Sequence, residues 1–342
     1  MGVGLLLWRF MNTGLVCIDG DILSYRCSAA IEKRTVEATH NETLEVVTFD
    51  TATAFKEWAG DDKENYTLVP KQEAEPVEHA LHAMKQTIAR IVENAKCDSY
   101  HIVVSGPTNF RLDLPLPTRY KDGRKETQKP IHLKACKEYL IAQHNAEVSV
   151  GVEADDILVG YAVQGYKNKE YVVQASLDKD AKHGPGWLFD WSTMDEPELI
   201  EGYGELTCTV RETARKKANG DLITEKIIKG KGRAFLWFQI IFGDAVDSYK
   251  PCELAKVKFG EVGAYELLKD AKNDKEALEA IVAQYKIWYP KPITYKAWDD
   301  TLHTKDWLEI MQMYADCAFM QRWENDRLVV KDLLNKLGVP HE

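Results

Sequence analysis

Carboxylates fall in groups just after short apolar runs, and that placement is where chemistry could reside in this chain. Asp19 and Asp21 follow Leu15 to Ile18 in the run Ile18-Asp19-Gly20-Asp21. Glu153, Asp155 and Asp156 follow Glu147 to Val150, and Asp178 and Asp180 follow Tyr171 to Val173. Short β-branched and apolar runs read as buried strands, so three strand ends would each deliver acids. Crowded carboxylates repel one another unless protons or cations compensate. Hard divalent cations prefer oxygen donors, and two of them about 3.5 to 4 Å apart can activate water and stabilise a leaving oxygen in phosphodiester cleavage. Two Mg²⁺ ions, replaceable by Mn²⁺, are therefore the expected occupants. A single Asp-x-Asp pair is more often a cap or a strand end, and a helix dipole favours acids such as Glu153, Asp155 and Asp156 at its start. Three groups at matching positions outweigh that.

To bring those acids together, the strands must run parallel. A further apolar run covers His101 to Val104, and helical spacing places Ala80, Leu81, Met84, Ile88, Ile91 and Val92 on a helix from Val77 to Ala95. A second helix, from His132 to Gln143, precedes the run at Glu147. Strand alternating with helix predicts a parallel sheet with helical crossovers, whose C-terminal strand ends share one ligand-binding edge. The expected fold class is α/β: a central parallel sheet with a mixed edge and helices on both faces, followed by a mostly helical C-terminal region. Arg34 to Phe49 reads as a hairpin around Asn41, and Glu205 to Ile228 as another turning at Asn219-Gly220, a pair suited to positive φ. After Trp237 helices are expected, including Lys275 to Tyr285 and Trp307 to Leu337. These boundaries give a core at 1–190, a hairpin insertion at 191–233 and a helical portion at 234–342, with room there for a divergent helix-turn-helix.

A chain of 342 residues, 45% hydrophobic, can bury a large core. Its seven cysteines are scattered with no C-x-x-C pair, which argues for a reduced cytoplasm and against a structural zinc. The net charge of -10 excludes a general nucleic-acid coat. A local basic track does occur at Arg119, Lys121, Arg124, Lys125, Lys129 and Lys134, although such runs are often solvated faces. The stretch from Met1 to Phe10 is apolar at Leu5 to Leu7 but too short to span a bilayer. With Met11 as a second plausible start, the first ten residues read as a dispensable extension, and no membrane partner is expected. Neither G-x-x-x-x-G-K-[ST] nor G-x-S-x-G occurs, which leaves ATPase and serine-hydrolase readings without a motif. His183 reads as a loop histidine, and Lys229 to Arg233 as a mobile basic loop.

Six motifs occur in order: Asp19-Gly20-Asp21, Asn109-Phe110-Arg111, Tyr120-Lys121-Asp122-Gly123-Arg124-Lys125, Glu153-Ala154-Asp155-Asp156, Ser176-Leu177-Asp178-Lys179-Asp180 and Gly243-Asp244-Ala245-Val246-Asp247. Together they resemble the 5′-3′ exonuclease and flap endonuclease family, especially the exonucleases of short-tailed bacteriophages, from Asp19 to about Tyr249. The resemblance implies a PIN-like core with a helical arch around 110–130. It implies that Asp19, Glu153, Asp155 and Asp178 ligate metal, that Asp180 and Asp244 complete a second site, and that Asp156 and Asp247 support them. Asp21, where many relatives have no acid, compensates for a departure at Gly106. Lys121 and Arg124 would act with Asp19, Asp155 and Asp178 in catalysis, by approaching the scissile phosphate. Arg111, Arg119 and Lys125 would join them in binding nucleic acid, and Tyr25 would stack on a terminal base or else simply pack.

The implied activity is 5′-3′ exonuclease or flap endonuclease cleavage of DNA at free 5′ ends, nicks or flaps, extending to RNA primers in RNA-DNA hybrids. The implied setting is phage replication in a bacterial host's cytoplasm. Three departures stand out. Ser105-Gly106-Pro107 offers no acid where relatives often carry one; Ser248 to Gly263 has only Gly260 and Gly263, which speaks against a potassium-binding turn; and Asp122 interrupts the basic loop. A PIN-type ribonuclease and a non-catalytic DNA-structure-binding replication protein are the alternatives.

Overall fold

The computed structural model describes residues 14–124, 127–216 and 222–341. In chain order the strands are β1 (Leu15–Asp19), β2 (Glu32–His40), β3 (Val46–Phe49), β4 (Tyr66–Ala74), β5 (Ser99–Val104), β6 (Glu147–Val148), β7 (Val172–Ala175), β8 (Gly186–Phe189), β9 (Glu198–Ile200), β10 (Glu205–Lys216), β11 (Leu222–Lys231), β12 (Ile293–Lys296) and β13 (Leu302–Lys305). The helices are α1 (Gly20–Ala29), α2 (Ala52–Ala59), α3 (Val77–Ala95), α4 (Leu133–His144), α5 (Ala154–Asn168), α6 (Arg233–Phe242), α7 (Glu261–Leu268), α8 (Asp274–Trp288), α9 (Trp307–Ala318) and α10 (Val330–Leu337). Two compact units interleave along the chain. One comprises Met1–Asp19, Ile91–Thr127 and Glu147–Glu342, the other Gly20–Arg90 and Gln128–Ala146.

The first unit is α/β, built on a six-stranded sheet in the order β6-β5-β1-β7-β8-β9. Its first five strands are mutually parallel, and β9 closes one edge antiparallel to β8. Val16 to Ile18, Ile102 to Val104 and Val173 to Ala175 are all buried, the pattern of parallel strands covered on both faces. Helix α5 lies across β1, β5, β7 and β8. Its close approach depends on Gly165, where a Cβ would sit 2.5 Å from the Cβ of Val172.

Helices α6 to α10 of the same unit form a separate apolar core around Trp237, Ile240, Tyr285 and Tyr314. The phenols of Tyr285, Tyr289 and Tyr295 donate to backbone carbonyls, Tyr285 Oη to Ile240 O at 2.8 Å, as buried polar groups generally must, whereas the buried Tyr314 hydroxyl has no partner. The helical stretch expected from Trp307 to Leu337 consists of two helices, α9 and α10, and the hairpin β12-β13, whose two strands are only four residues each, precedes them. No helix among the described residues is long and apolar enough to cross a membrane.

One expectation fails outright. The arch around 110–130 contains no α-helix among its described residues, only 3₁₀ turns at Phe110–Asp113 and Asp122–Arg124. Pro115, Pro117 and Pro130 remove backbone donors that a helix needs, and Lys121 adopts a left-handed φ of 59°.

The second unit holds a three-stranded antiparallel sheet in the order β3-β2-β4. The hairpin expected around Asn41 is thus widened by β4, and beside it Phe55 packs edge to face on Phe49 and Tyr66, and Trp58 edge to face on Tyr66. The helices foreseen from Val77 and from His132 are α3 and α4. The Asn219-Gly220 turn lies outside the described residues.

Candidate active site

The acids collect where the parallel strands of the first unit end. Asp19 is the last residue of β1 and is 2% exposed. Ser176, just past the neighbouring β7, donates through Oγ to Asp19 Oδ2 at 2.9 Å and accepts from the Asp178 N–H at 3.1 Å. That one serine therefore fixes two strand ends relative to each other. Asp178 caps the 3₁₀ turn at Lys179–Lys182, its Oδ1 accepting from the Asp180 N–H at 2.9 Å. Glu153 and Asp155 open α5, the helix that crosses the same strands.

Asp180, Asp244 and Asp247 are buried and present carboxylate oxygens all within 4.8 Å of one another. Asp244 and Asp247 are brought there by a tight turn closed by paired backbone bonds between Asp244 and Tyr249, at 2.9 and 3.0 Å. Asp19, Glu153, Asp155 and Asp178 form a second, looser group. Burial raises the Asp155 carboxyl well above its usual range, and the charges of Asp19, Asp178 and Glu153 push it further. Its Oδ1 is shielded from solvent and has no hydrogen bond. Burial, reinforced by Asp178, likewise lifts Asp180 to about 8 against an opposing hydrogen bond from Gln239.

Cations of the chain itself temper this charge. Lys121 Nζ is in very close contact with Glu153 Oε1 and lies 3.9 Å from Asp247 Oδ2. Arg124 pairs with Asp247 at 2.6 Å and Lys179 with Asp244 at 2.6 Å. Burial works to lower the Lys121 pKa, but Glu153 and Asp247 outweigh it and the group stays protonated. The phenol of Tyr120 lies 2.7 Å from Asp247 Oδ2 and 3.1 Å from Glu153 Oε2. Its one hydrogen serves one of them at a time.

An all-oxygen, largely buried donor set with an unpaired carboxylate oxygen suits a hard divalent cation, and the buried triad could hold such an ion. Lys121 and Arg124 are the kind of side chain that grips phosphate, one as a point charge and the other as a fork.

Other expected residues have partners of their own. Arg111, expected to bind nucleic acid, is instead 0% exposed. It clamps Asp156 through NH1 and NH2 at 2.7 and 2.8 Å and donates to Cys317 O and Phe319 O at the end of α9. Four such bonds use all but one of its five N–H donors, the remaining one is on NH1, 3.6 Å from Glu153 Oε2, and full burial keeps the group from a phosphate while it holds Asp156. Arg119 stacks on Trp298, 4.5 Å from its ring, which ties it to the C-terminal core. In the second unit, Asp21 is paired with Lys137 at 2.6 Å, and Tyr25 leaves its ring 40% exposed on α1. Lys125 lies outside the described residues.

Gly106 has a steric reason for lacking an acid. A Cβ there would lie 2.1 Å from Ser149 O, so this backbone admits no side chain. Tyr120, Ser176 and Lys179 lie within the motifs but had no role assigned from sequence, and Gln239 lies outside all of them. Gln239 did carry a signal, as the one polar residue inside the otherwise apolar stretch Ala234 to Phe242; its Nε2 donates to Asp180 Oδ1 at 2.5 Å. His183 is buried and neutral, its pKa pushed down to about 3 by burial and by Lys179.

No family model and no curated protein matches the sequence. Among solved structures, the chain is similar to a bacteriophage T5 flap endonuclease in a pseudo-enzyme-product complex with DNA and metal ions, at 15% identity and TM-score 0.48, covering 95% of this chain and 96% of that one. It is also similar to a T5 5′-exonuclease with zinc ions bound, at 15% identity and TM-score 0.42, covering 96% of this chain and 100% of that one.

Proposed function

We propose that this chain is a metal-dependent nuclease that hydrolyses DNA phosphodiesters at or near a free 5′ end. The observation that carries the proposal is the meeting of two carboxylate groups, from β1, β7, α5 and the turn after α6, with Lys121 and Arg124 from a separate segment. Two divalent cations, Mg²⁺ or Mn²⁺, would supply an activated water and charge stabilisation at the leaving oxygen.

Asp19, Glu153, Asp155 and Asp178 would hold one ion, and Asp180, Asp244 and Asp247 the other. Once those acids are compensated, Lys121 and Arg124 are free to exchange Glu153 and Asp247 for the oxygens of the scissile phosphate, where negative charge builds up. Tyr120 keeps Asp247 and Glu153 in register through that exchange, and Ser176 keeps Asp19 and Asp178 aligned. Nicks, 5′ flaps and RNA-DNA hybrids are the proposed substrates, in phage replication within a bacterial host.

A labelled duplex with a 5′ flap, incubated with wild type and Asp178→Ala in Mg²⁺, Mn²⁺ or EDTA, tests this by product length. Wild type is expected to cut only with metal, and the variant to lose activity by at least about a hundredfold, the low end for removing an electrostatic catalytic group. Cleavage that persists in EDTA, or flap binding without turnover in both metals, would overturn it.

A further inference from the structure

The outer side of α5 borders a cavity of about 590 Å³ that the carboxylate chemistry does not use. That volume lies in the range of small-molecule sites, roughly 300 to 1,000 Å³. Ile157, Tyr161 and Gln164 of α5 form one wall, and Trp323 and Asn325, from the segment between α9 and α10, form the other. Two aromatic rings face solvent there: Trp323 is 42% exposed and Tyr161 36%, beside Val150 at 82%. Such a grouping of exposed apolar surface marks a binding site more often than chance.

Trp323 is held in place before anything binds. The Arg322 guanidinium lies 4.6 Å from its ring and is fixed by Asp326 at 2.6 and 2.9 Å. The Lys167 ammonium sits 4.1 Å from the same ring, close enough to follow a phosphate at the rim. Of the three acids of the wall, Glu147 is hydrogen-bonded to His101 at 2.7 Å and to the Tyr161 hydroxyl at 3.2 Å, Asp156 is paired with Arg111, and Glu324 is exposed to solvent at the rim. The interior therefore suits neither a phosphate nor a cation. It suits a flat, neutral ring with hydrogen-bonding edges, for which the amides of Gln164, Gln321 and Asn325 supply donors and acceptors. The cavity also adjoins the acids along the chain, since Val152 lines it and the next residue is Glu153.

We infer that this cavity is a nucleobase subsite that takes one unpaired base of a bound nucleic-acid strand, stacked on Trp323. The inference rests on the nuclease reading. A free nucleotide offers the same ring, so the test must separate the two sources.

Strand binding is measured in EDTA by the anisotropy of a fluorescent oligo-dA, with unlabelled dAMP as competitor, and flap cleavage is followed in Mn²⁺. Trp323→Ala is expected to weaken strand binding about tenfold, within the range for losing one base-aromatic stack. The same change should raise KM for the flap and leave kcat in place. Gln164→Glu, which keeps the ring and sits on an exposed helix face, is expected to act in the same direction. Unchanged affinity and KM in both variants, while wild type still cuts, would overturn the subsite and leave the nuclease standing. Tight dAMP binding that Trp323→Ala abolishes, with strand affinity untouched, would overturn it in favour of a free nucleotide. A wild type that neither binds strand nor cuts in any metal would instead bring down the nuclease reading.

Discussion

Asp155 and Asp156 are neighbours on the first turn of α5, yet they belong to two opposite ways of burying charge. Each Asp156 oxygen accepts two bonds: Oδ1 from Arg111 NH2 and the Gln321 N–H, Oδ2 from Arg111 NH1 and the Glu153 N–H, all between 2.7 and 2.9 Å. Asp155 has an Oδ1 with no partner and faces Asp19, Asp178 and Glu153. One residue of helix turns a side chain through about 100°, since α-helices hold 3.6 residues per turn, and that rotation carries one acid into a saturated knot and the other to the strand ends. A saturated buried charge holds the fold together. An unsaturated one is held in place by the rest of the fold, and it stays costly until a ligand arrives.

The sharpest way to break this comparison is Arg111→Ala. It would leave Asp156 buried and unpaired and strip the end of α9 of its donors, and truncating one partner of a buried pair costs about 3–5 kcal/mol. That is a large share of the roughly 5–15 kcal/mol that holds a typical protein together. Urea denaturation should show the loss directly, and a cost under about 1 kcal/mol, the scale of an exposed pair, would show that the knot is not structural. Next in size is the response to metal. Saturating Mn²⁺ should stabilise wild type by about 2.7 kcal/mol at a hundred times its dissociation constant. Asp155→Asn should lose most of that gain and yet, without metal, melt no lower than wild type, because the amide removes one of the mutually repelling charges. If the metal-free variant melts well below wild type, Asp155 is structural and the contrast with Asp156 collapses.

How much of this was legible beforehand follows from what a sequence encodes locally. The strands that lead to Asp19 and Asp178 were visible because strands buried on both faces read as unbroken apolar runs, and α3 because its apolar spacing is helical over its full length. Arg111 was misread because a sequence shows charge but not burial; its partners, Asp156, Cys317 and Phe319, come from remote parts of the chain. The proximity of Asp247 to Asp180 depends on the turn closed at Tyr249, a backbone geometry that the run Gly243 to Asp247 does not announce. The arch is the opposite case: Pro115, Pro117 and Pro130 are local signals against an α-helix, whereas a family resemblance carries no local backbone information. Gln239, a lone amide in an apolar helix, was a local signal that could have been read.

The finest distinction between the two kinds of buried charge is their response to pH in the absence of metal. Asp180 titrates near 8 in the fold, raised by burial and Asp178, whereas an unfolded aspartate titrates near about 3.9. Between those values the folded state binds the additional proton, so the unfolding free energy must fall as pH rises. The contribution is fully present below about pH 4 and is lost by the time pH has passed through 8. In EDTA, wild type should therefore unfold at progressively lower urea concentration from pH 5 to pH 8. Asp180→Asn can still accept the Gln239 hydrogen bond through its amide oxygen, and it should flatten that slope. Added Mn²⁺ should reverse the slope's sign, because metal binds the deprotonated carboxylates and competes with protons for them. A wild type whose metal-free stability holds level or climbs across that interval would mean that Asp180 is ionised and satisfied like Asp156, and the difference between the two regions would vanish at this position.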